Sequence, residues 1–546
     1  MPKLLIIFFS LLSVTALCQI NITYPTSRAV FQRNNNNQCI VYLAGNFTSK
    51  STKIEARAVA RPMAQSQGSS TSWSTIQTNP QNGFYSGALI LQGGWYDLYV
   101  RAWNNNTLLG TDSVQRVGVG EVFVIAGQSN ASGSETVRLE GNYGTSAVDD
   151  RVSFINFLNN WDHEYQKVSL PAPVFQHADS TARIAPFGIS GWCWGALGDL
   201  LVQRLKVPVA FFNAAWSGSS IGVWSQTADD STLSPPFLFP FPKGMPYGYL
   251  RVALNYYVAQ FGVRAVLWHQ GETDNAFSTT RATYATQLKN VIEKSRIHTN
   301  KPNLAWVVSR ASYYKGLGLT THRVWQPILD AQNDVIGLNG TSQTGYTTKV
   351  FAGPETDSYK GSAYRDADDV HFKGQGHVAL ANLWNTALST SFFQTVTPYA
   401  PLSVPTVTNS CIAADRLSIQ LNLSYPQVQW TSNVTATDTA GVSSSISNNT
   451  GSYIARVKDY YGNILLSPKI IIPSTFSGLI PIQSLRTGSW NTASTWSCGR
   501  IPSILDEVTI QQGHVVSIPL NGVGNFKDLL LNGQLIFSTV SALRNN

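Results

Sequence analysis

The chain has 546 residues, 43% hydrophobic and only 12% charged, with 38 Lys and Arg against 30 Asp and Glu for a formal net charge of +8. That length exceeds a single core and implies three or four domains, and the apolar content excludes wholesale disorder. The basic excess forms no Lys/Arg cluster, which argues against a nucleic-acid or polybasic membrane site, and the Asn, Ser, Thr and Gly that stand in for charge suit an extracellular, β-rich protein.

Residues 1–18 read as a secretory signal: Lys3, an apolar stretch from Leu4 to Leu12, then Ala16-Leu17-Cys18. The stretch is too short to span a bilayer, and bulky Leu17 is unlike the small residue that precedes a lipoprotein cysteine. A secreted chain with no membrane span is therefore expected. Residues 19–117 carry short alternating runs, among them Ile40 to Leu43, Ile54 to Val59, Gly87 to Leu91 and Trp95 to Ala102, and predict a small β-sandwich. The pattern changes near Glu121. Over residues 118–395, strand-like runs (Val207 to Phe212, Val263 to Trp268, Leu304 to Ser309) alternate with helical periodicity such as Leu197, Leu200, Leu201 and Leu205. That alternation predicts an α/β domain, a parallel sheet with helices on both faces. Residues 400–473 return to β-type runs and predict an immunoglobulin-like module, and residues 474–546 a partial β module. No internal repeat stands out. Cys39, Cys193, Cys411 and Cys498 are widely scattered with no CxxC spacing and read as isolated or buried thiols.

Two distant segments carry chemistry. Gly127-Gln128-Ser129-Asn130 follows the apolar run Val122 to Ala126, so a glycine turn would present Ser129 at the carboxyl end of a buried strand. Asp368-Asp369-Val370-His371 places a carboxylate three residues before a histidine, close enough to orient the imidazole. A serine hydroxyl becomes a competent nucleophile only when such a base takes its proton. His371 with His377 lacks a third metal ligand at plausible spacing. Ala131 also rules out the Gly-x-Ser-x-Gly elbow.

These segments resemble blocks of the SGNH (GDSL-type) hydrolases, in the variant of sialate O-acetylesterase-like enzymes and related acetylxylan esterases. Between them, Asn213 to Ile221, containing Ser217-Gly218, resembles the second block, and Trp268-His269-Gln270-Gly271-Glu272 the third. The likeness spans roughly residues 118–395, about half the chain. It implies an SGNH-hydrolase (flavodoxin-like) three-layer parallel-sheet domain flanked by β-sandwich modules. It implies a Ser129–His371–Asp368 triad, and an oxyanion hole made by the N–H groups of Ser129 and Gly218 with the Gln270 side-chain amide. It implies hydrolysis of acetyl esters on a carbohydrate, sialic acid or a plant-type glycan, with no metal or organic cofactor. Ser217 departs from the family, which commonly has glycine there. Asp-x-x-His spacing favours Asp368 over Asp369 as the orienting carboxylate.

Blander readings stand beside these. Gln270 reads either as a donor or as a polar strand-end residue, while His269 and Glu272 read as structural. Trp192, Trp194, Trp216 and Trp224 are either sugar platforms or core, and tryptophans are more often core. Arg183 and Arg365 have the chemistry to meet an acidic sugar but nothing in the sequence places them in the site. The rival functions are a glycan-binding protein that has lost catalysis and a lipase or thioesterase on the same scaffold. The terminal modules suggest glycan or cell-surface attachment.

Overall fold

The computed structural model describes residues 20–62, 68–157, 170–229, 241–316, 318–339, 348–413, 416–432, 439–441, 445–448, 451–472, 478–538 and 541–544. The expected signal segment, 1–18, lies outside the described residues. Among the described residues, no helix is long and apolar enough to cross a membrane.

The first module is built from β1 (Ile20–Tyr24), β2 (Val30–Gln32), β3 (Gln38–Phe47), β4 (Lys53–Ala60), β5 (Ser74–Thr78), β6 (Phe84–Gln92) and β7 (Gly94–Asn104). Strands β1-β3-β6 form one antiparallel sheet, and β5-β4-β7 join β8 (Thr107–Gly127) in another. Val41 and Leu43 from the first sheet and Ile54, Ala56, Leu98 and Val100 from the second are buried in a shared core.

Strand β8 runs 21 residues without a break. Its first half alternates exposed and half-buried side chains, as a strand with one wet face should, and from Val117 onward every residue is buried. The change of pattern in the sequence is thus real, but it marks a strand passing from an exposed sheet into a covered one. A boundary at 117–118 falls inside a single strand.

In the covered half, β8 sits between parallel neighbours β11 (Val209–Asn213) and β12 (Ala265–His269). Beyond β12 follow β13 (Trp306–Arg310) and β14 (Val350–Glu355), all parallel. The hairpin of β9 (Val152–Phe154) and β10 (Gln176–His177) extends the other edge, β9 pairing parallel with β11. In chain order the five main strands β8, β11, β12, β13 and β14 are arranged 2-1-3-4-5, and the order reverses between β8 and β12. A crevice opens at such a switch point, outside the carboxyl ends of the strands. Alternate residues of β8 face opposite cores. Val122, Val124 and Ala126 pack with the helices Ile221–Ala228, Arg281–His298 and Gln326–Ile336, while Phe123 and Ile125 pack with Trp194–Leu205 and Gln375–Ala387. The protein is therefore mixed α/β, with a large mixed sheet and separate β modules.

Where β8 enters the covered sheet, Glu121 is fully buried between Arg33 Nε (2.8 Å) and Arg264, whose Nε and Nη2 lie 2.8 and 2.9 Å from its carboxylate. Arg264 also donates to Val396 O (2.8 Å), so one ion triad ties the first module to both ends of the α/β domain. Breaking a buried ion set by removing one partner typically costs 3–5 kcal/mol. Glu121→Ala is expected to lower unfolding stability by about 3–5 kcal/mol in urea titration. A loss below about 1 kcal/mol would show that the triad is not what joins the modules.

The third module has β15 (Val407–Ala413), β16 (Arg416–Leu421) and β19 (Ser445–Asn448) in one antiparallel sheet. Its second sheet holds β17 (Gln427–Thr431), β18 (Thr439–Gly441), β20 (Gly451–Lys458), β21 (Ile464–Leu466) and β22 (Ile470–Ile472). The last module differs from a sandwich. Its strands β23 (Ile482–Gln483), β25 (Glu507–Ile510) and β28 (Asp528–Leu531) stack in parallel, as do β24 (Gly488–Ser489), β26 (Val515–Ile518) and β29 (Gln534–Phe537), and β27 (Val523–Asn525) with β30 (Ala542–Arg544). This is a short parallel coil in which Val508 lies beside Leu529, Val516 beside Leu535 and Val523 beside Ala542. Its repeat escapes a sequence reading because the strands are only two to four residues long and the corners between them differ in length. The cysteine expectation holds for Cys39 and Cys193, both buried thiols, and fails for Cys411 and Cys498. These two form a disulfide across 87 residues, because β15 packs against the turn Ser497–Gly499.

Candidate active site

Gly127 ends β8 with φ +127°, and a Cβ there would lie 2.0 Å from His269 O on β12, so only glycine permits this approach. Gln128 N then donates to His269 O (2.9 Å) and Trp216 N to Gly127 O (2.9 Å), which pins the turn to β12 and to the loop that follows β11. Ser129 opens the one-turn helix Ser129–Ser132 and is 4% exposed.

The structure brings the three distant residues together. His371 Nε2 lies 2.8 Å from Ser129 Oγ, and His371 Nδ1 lies 2.5 Å from Asp368 Oδ2. Asp368 Oδ1 accepts from the backbone N–H groups of Val370 (2.8 Å) and His371 (3.0 Å). Burial works against its charged form, but the hydrogen bond and charge of His371, with those backbone donors, prevail and hold the carboxyl well below the usual range. Asp369 adopts φ +51° and turns away, its carboxylate accepting from Tyr313 OH (2.6 Å) and Gly361 N (2.7 Å). His377 meets Trp192 edge to face at 4.4 Å, and burial pushes its imidazole down to about 4.

Two backbone donors face the remaining space. Neither Ser129 N nor Gly218 N donates to an acceptor among the described residues, and a Cβ on Gly218 (φ +71°) would meet nothing within 4 Å. The first N–H groups of a helix have no internal partner, so the Ser129 donor is available by construction. Ser217, the departure from the family pattern, binds Ser132 Oγ (3.0 Å) and Gly133 O (3.2 Å) and so holds the Gly218 loop against the Ser129 turn.

Gln270 does not take the expected donor position. Its carbonyl accepts from Tyr284 OH (2.8 Å), and its Nε2 donates to Asp274 Oδ2 (2.5 Å), with Gln128 Oε1 and Ser219 O each at 3.2 Å. An amide nitrogen has two hydrogens, and here both are taken within the scaffold. Gln270 thus braces the Gln128 and Ser219 loops, and its amide hydrogens are spent within the scaffold.

Asn130, absent from the expected site residues, bolts the Ser129 turn to the His371 loop. Its Nδ2 donates to Glu272 Oε1 (2.8 Å) and Val370 O (3.1 Å), and its Oδ1 accepts from Phe372 N (3.2 Å). Its signal lay in the fourth letter of Gly-Gln-Ser-Asn. Glu272, backed by His269 Nε2 at 3.2 Å, is buried. Burial opposes its charge, yet His269 and the Asn130 amide draw its carboxyl down to about 2. Arg365, 1% exposed, donates to Val370 O, Thr356 O and Tyr359 O, and Arg183 pairs with Glu135 (3.3 Å). The four tryptophans are core, Trp216 being stacked on Phe187 at 4.2 Å.

Asp274 is the unusual carboxylate. Burial dominates and raises it to about 6, although Ile221 N (2.8 Å), Gln270 and Thr279 donate to it. The folded state therefore holds a proton between about pH 4 and 6 that the unfolded chain has released. This group's contribution to stability is greatest at low pH and falls as pH rises through that window. Relative to Asp274→Asn, the wild-type chain is expected to lose up to about 3 kcal/mol from pH 4 to pH 7, measured by urea unfolding. Parallel stability–pH curves for the two proteins would refute this.

Residues 119–389 match the family model described as carbohydrate esterase, sialic acid-specific acetylesterase. No curated protein matches the chain by sequence. Among solved structures, a carbohydrate acetylesterase from Xanthomonas citri aligns over 84% of this chain and 99% of its own at 15% identity, with a TM-score of 0.42. A protein from Arabidopsis thaliana aligns over 50% and 98% at 16% identity and 0.31. Through the domain at residues 119–389, the chain belongs to the sialic acid-specific acetylesterase family of carbohydrate esterases.

Proposed function

We propose that this protein is a secreted carbohydrate O-acetylesterase that works through Ser129, His371 and Asp368 on an SGNH-type three-layer scaffold. The observation that carries the reading is the unbroken relay from Ser129 Oγ through His371 to Asp368, at 2.8 and 2.5 Å. His371 takes the Ser129 proton as the oxygen attacks the acetyl carbonyl, then gives it to the departing sugar alcohol. Asp368 fixes the imidazole tautomer and stabilises its cation. The N–H groups of Ser129 and Gly218 receive the tetrahedral oxyanion, each such donor typically lowering the barrier by about 3–4 kcal/mol. Gln270, Asn130 and Ser217 hold these loops in register.

The substrate is an acetylated sugar, O-acetylated sialic acid or a plant-type glycan. Acetate release by the purified protein from O-acetylated sialic acid, xylan and pectin, with Ser129→Ala in parallel, tests the reading. Release from one glycan that vanishes in the variant supports it and names the substrate class. A folded protein that releases acetate from none of them would overturn it.

A further inference from the structure

We propose that the outer face of the β4–β7 sheet in the first module is a binding site for a carboxylate-bearing glycan, centred on Arg57. On these paired strands Ile54, Ala56, Ala58, Leu98, Val100 and Ala102 point into the core. Their odd-numbered neighbours therefore form an outward ladder in which Lys53 faces Trp103, Glu55 faces Arg101 and Arg57 faces Tyr99. Trp73 lies over the ladder, with the guanidinium carbons of Arg101 and Arg57 at 4.1 and 4.7 Å from its ring. Arg57 is also 5.3 Å from the Tyr99 ring.

The charges on this face are not balanced. Glu55 pairs with both Arg101 Nε (2.6 Å) and Lys53 Nζ (2.7 Å), and it accepts from Trp103 Nε1 (2.9 Å). Arg61 has Asp97 at 2.6 Å. Arg57, in the middle, has no carboxylate among the described residues, and its Nε is buried without a hydrogen-bond partner. A guanidinium lying between aromatic rings has shed water from its faces and keeps its terminal Nη donors, a fork that matches a carboxylate in two places. Half-buried Trp73, Tyr99 and Trp103 beside it offer the flat apolar surface that a sugar ring needs. A single uncompensated cation suits isolated carboxylates on a saccharide better than the phosphate train of a nucleic acid, which requires several.

The site is separate from Ser129. Arg101 pairs with Thr111 on β8, and at about 3.3 Å per residue Thr111 lies roughly 50 Å along that strand from Gly127. It would hold the enzyme on an acidic polysaccharide while the α/β domain acts, and it stands or falls independently of the esterase reading.

Affinity electrophoresis of the full chain through gels containing polygalacturonate, polysialic acid, fully methyl-esterified pectin or single-stranded DNA tests this. Retardation by at least one of the two carboxylate polymers, and not by the methyl ester, is expected. Arg57→Gln should weaken that binding at least tenfold, and Arg57→Lys should restore only part of it. The Arg57→Gln thermal midpoint and its hydrolysis of 4-nitrophenyl acetate should stay at wild-type values, and Ser129→Ala should bind as the wild type does. Absence of retardation by both carboxylate polymers, equal retardation by the methyl ester, tighter binding to DNA, or unchanged binding by Arg57→Gln would each overturn the proposal.

Discussion

Replacing Ser129 with alanine is expected to lower kcat for acetate release on the order of 10⁶-fold while leaving KM and thermal stability close to wild type. The size follows from what the hydroxyl does. In the proposed mechanism it supplies the bond-forming oxygen, and the neighbouring hydroxyls are committed elsewhere: Ser132 Oγ donates to Gly133 O (2.8 Å), and Ser217 is tied to the same loop. The fold should tolerate the change, because Ser129 contributes one hydrogen bond, to His371, while the turn is held by Gly127, Gln128 and Asn130. The two backbone donors also remain, so a residual rate above that in water is expected from them and from binding alone. A variant that keeps more than about 1% of wild-type kcat would exclude Ser129 as the nucleophile.

Some of this molecule was legible in the sequence and some was not, for physical reasons. The meeting of Ser129, Asp368 and His371 was legible because each sits in a short motif whose spacing is set by local geometry. Asp368 reaches His371 within one turn of loop, and Gly127 is demanded by a 2.0 Å approach. The strands β8, β11, β12 and β13 were legible because buried parallel strands are apolar on both faces. Gln270 was misjudged because a motif gives identity without direction. Which way its amide points depends on Asp274, four residues on, and on Tyr284 from another helix. Cys411 and Cys498 meet only because one module packs against the next, a contact that no local pattern encodes. The parallel coil at the end was hidden for the same reason, its strands being two to four residues long and paired across turns.

Asparagine at position 368 is expected to lower kcat about 10⁴-fold, even though it is nearly isosteric with aspartate. Here the backbone dictates the outcome. Oδ1 of Asp368 is claimed by the N–H groups of Val370 and His371, so an asparagine must place its single oxygen there. Its NH₂ then occupies the Oδ2 position, 2.5 Å from His371 Nδ1, where a donor would meet a donor. The imidazole escapes that clash by carrying its proton on Nε2 instead, and Nε2 is the atom 2.8 Å from Ser129 Oγ. A protonated Nε2 has no lone pair to accept the hydroxyl proton, so the base is lost while the geometry survives. Three readouts follow: a collapsed kcat, a KM within a few-fold of wild type, and unchanged cofolding of the loop as judged by thermal midpoint. Asp369→Asn is the matched control, because its carboxylate serves Tyr313 and Gly361 and does not touch His371. Equal losses from the two variants would mean that the loop needs its charge rather than its tautomer, and Asp368 would lose its assigned role. A large loss confined to Asp368→Asn would establish that two backbone N–H groups, by fixing one carboxylate oxygen, choose which nitrogen of His371 faces the serine.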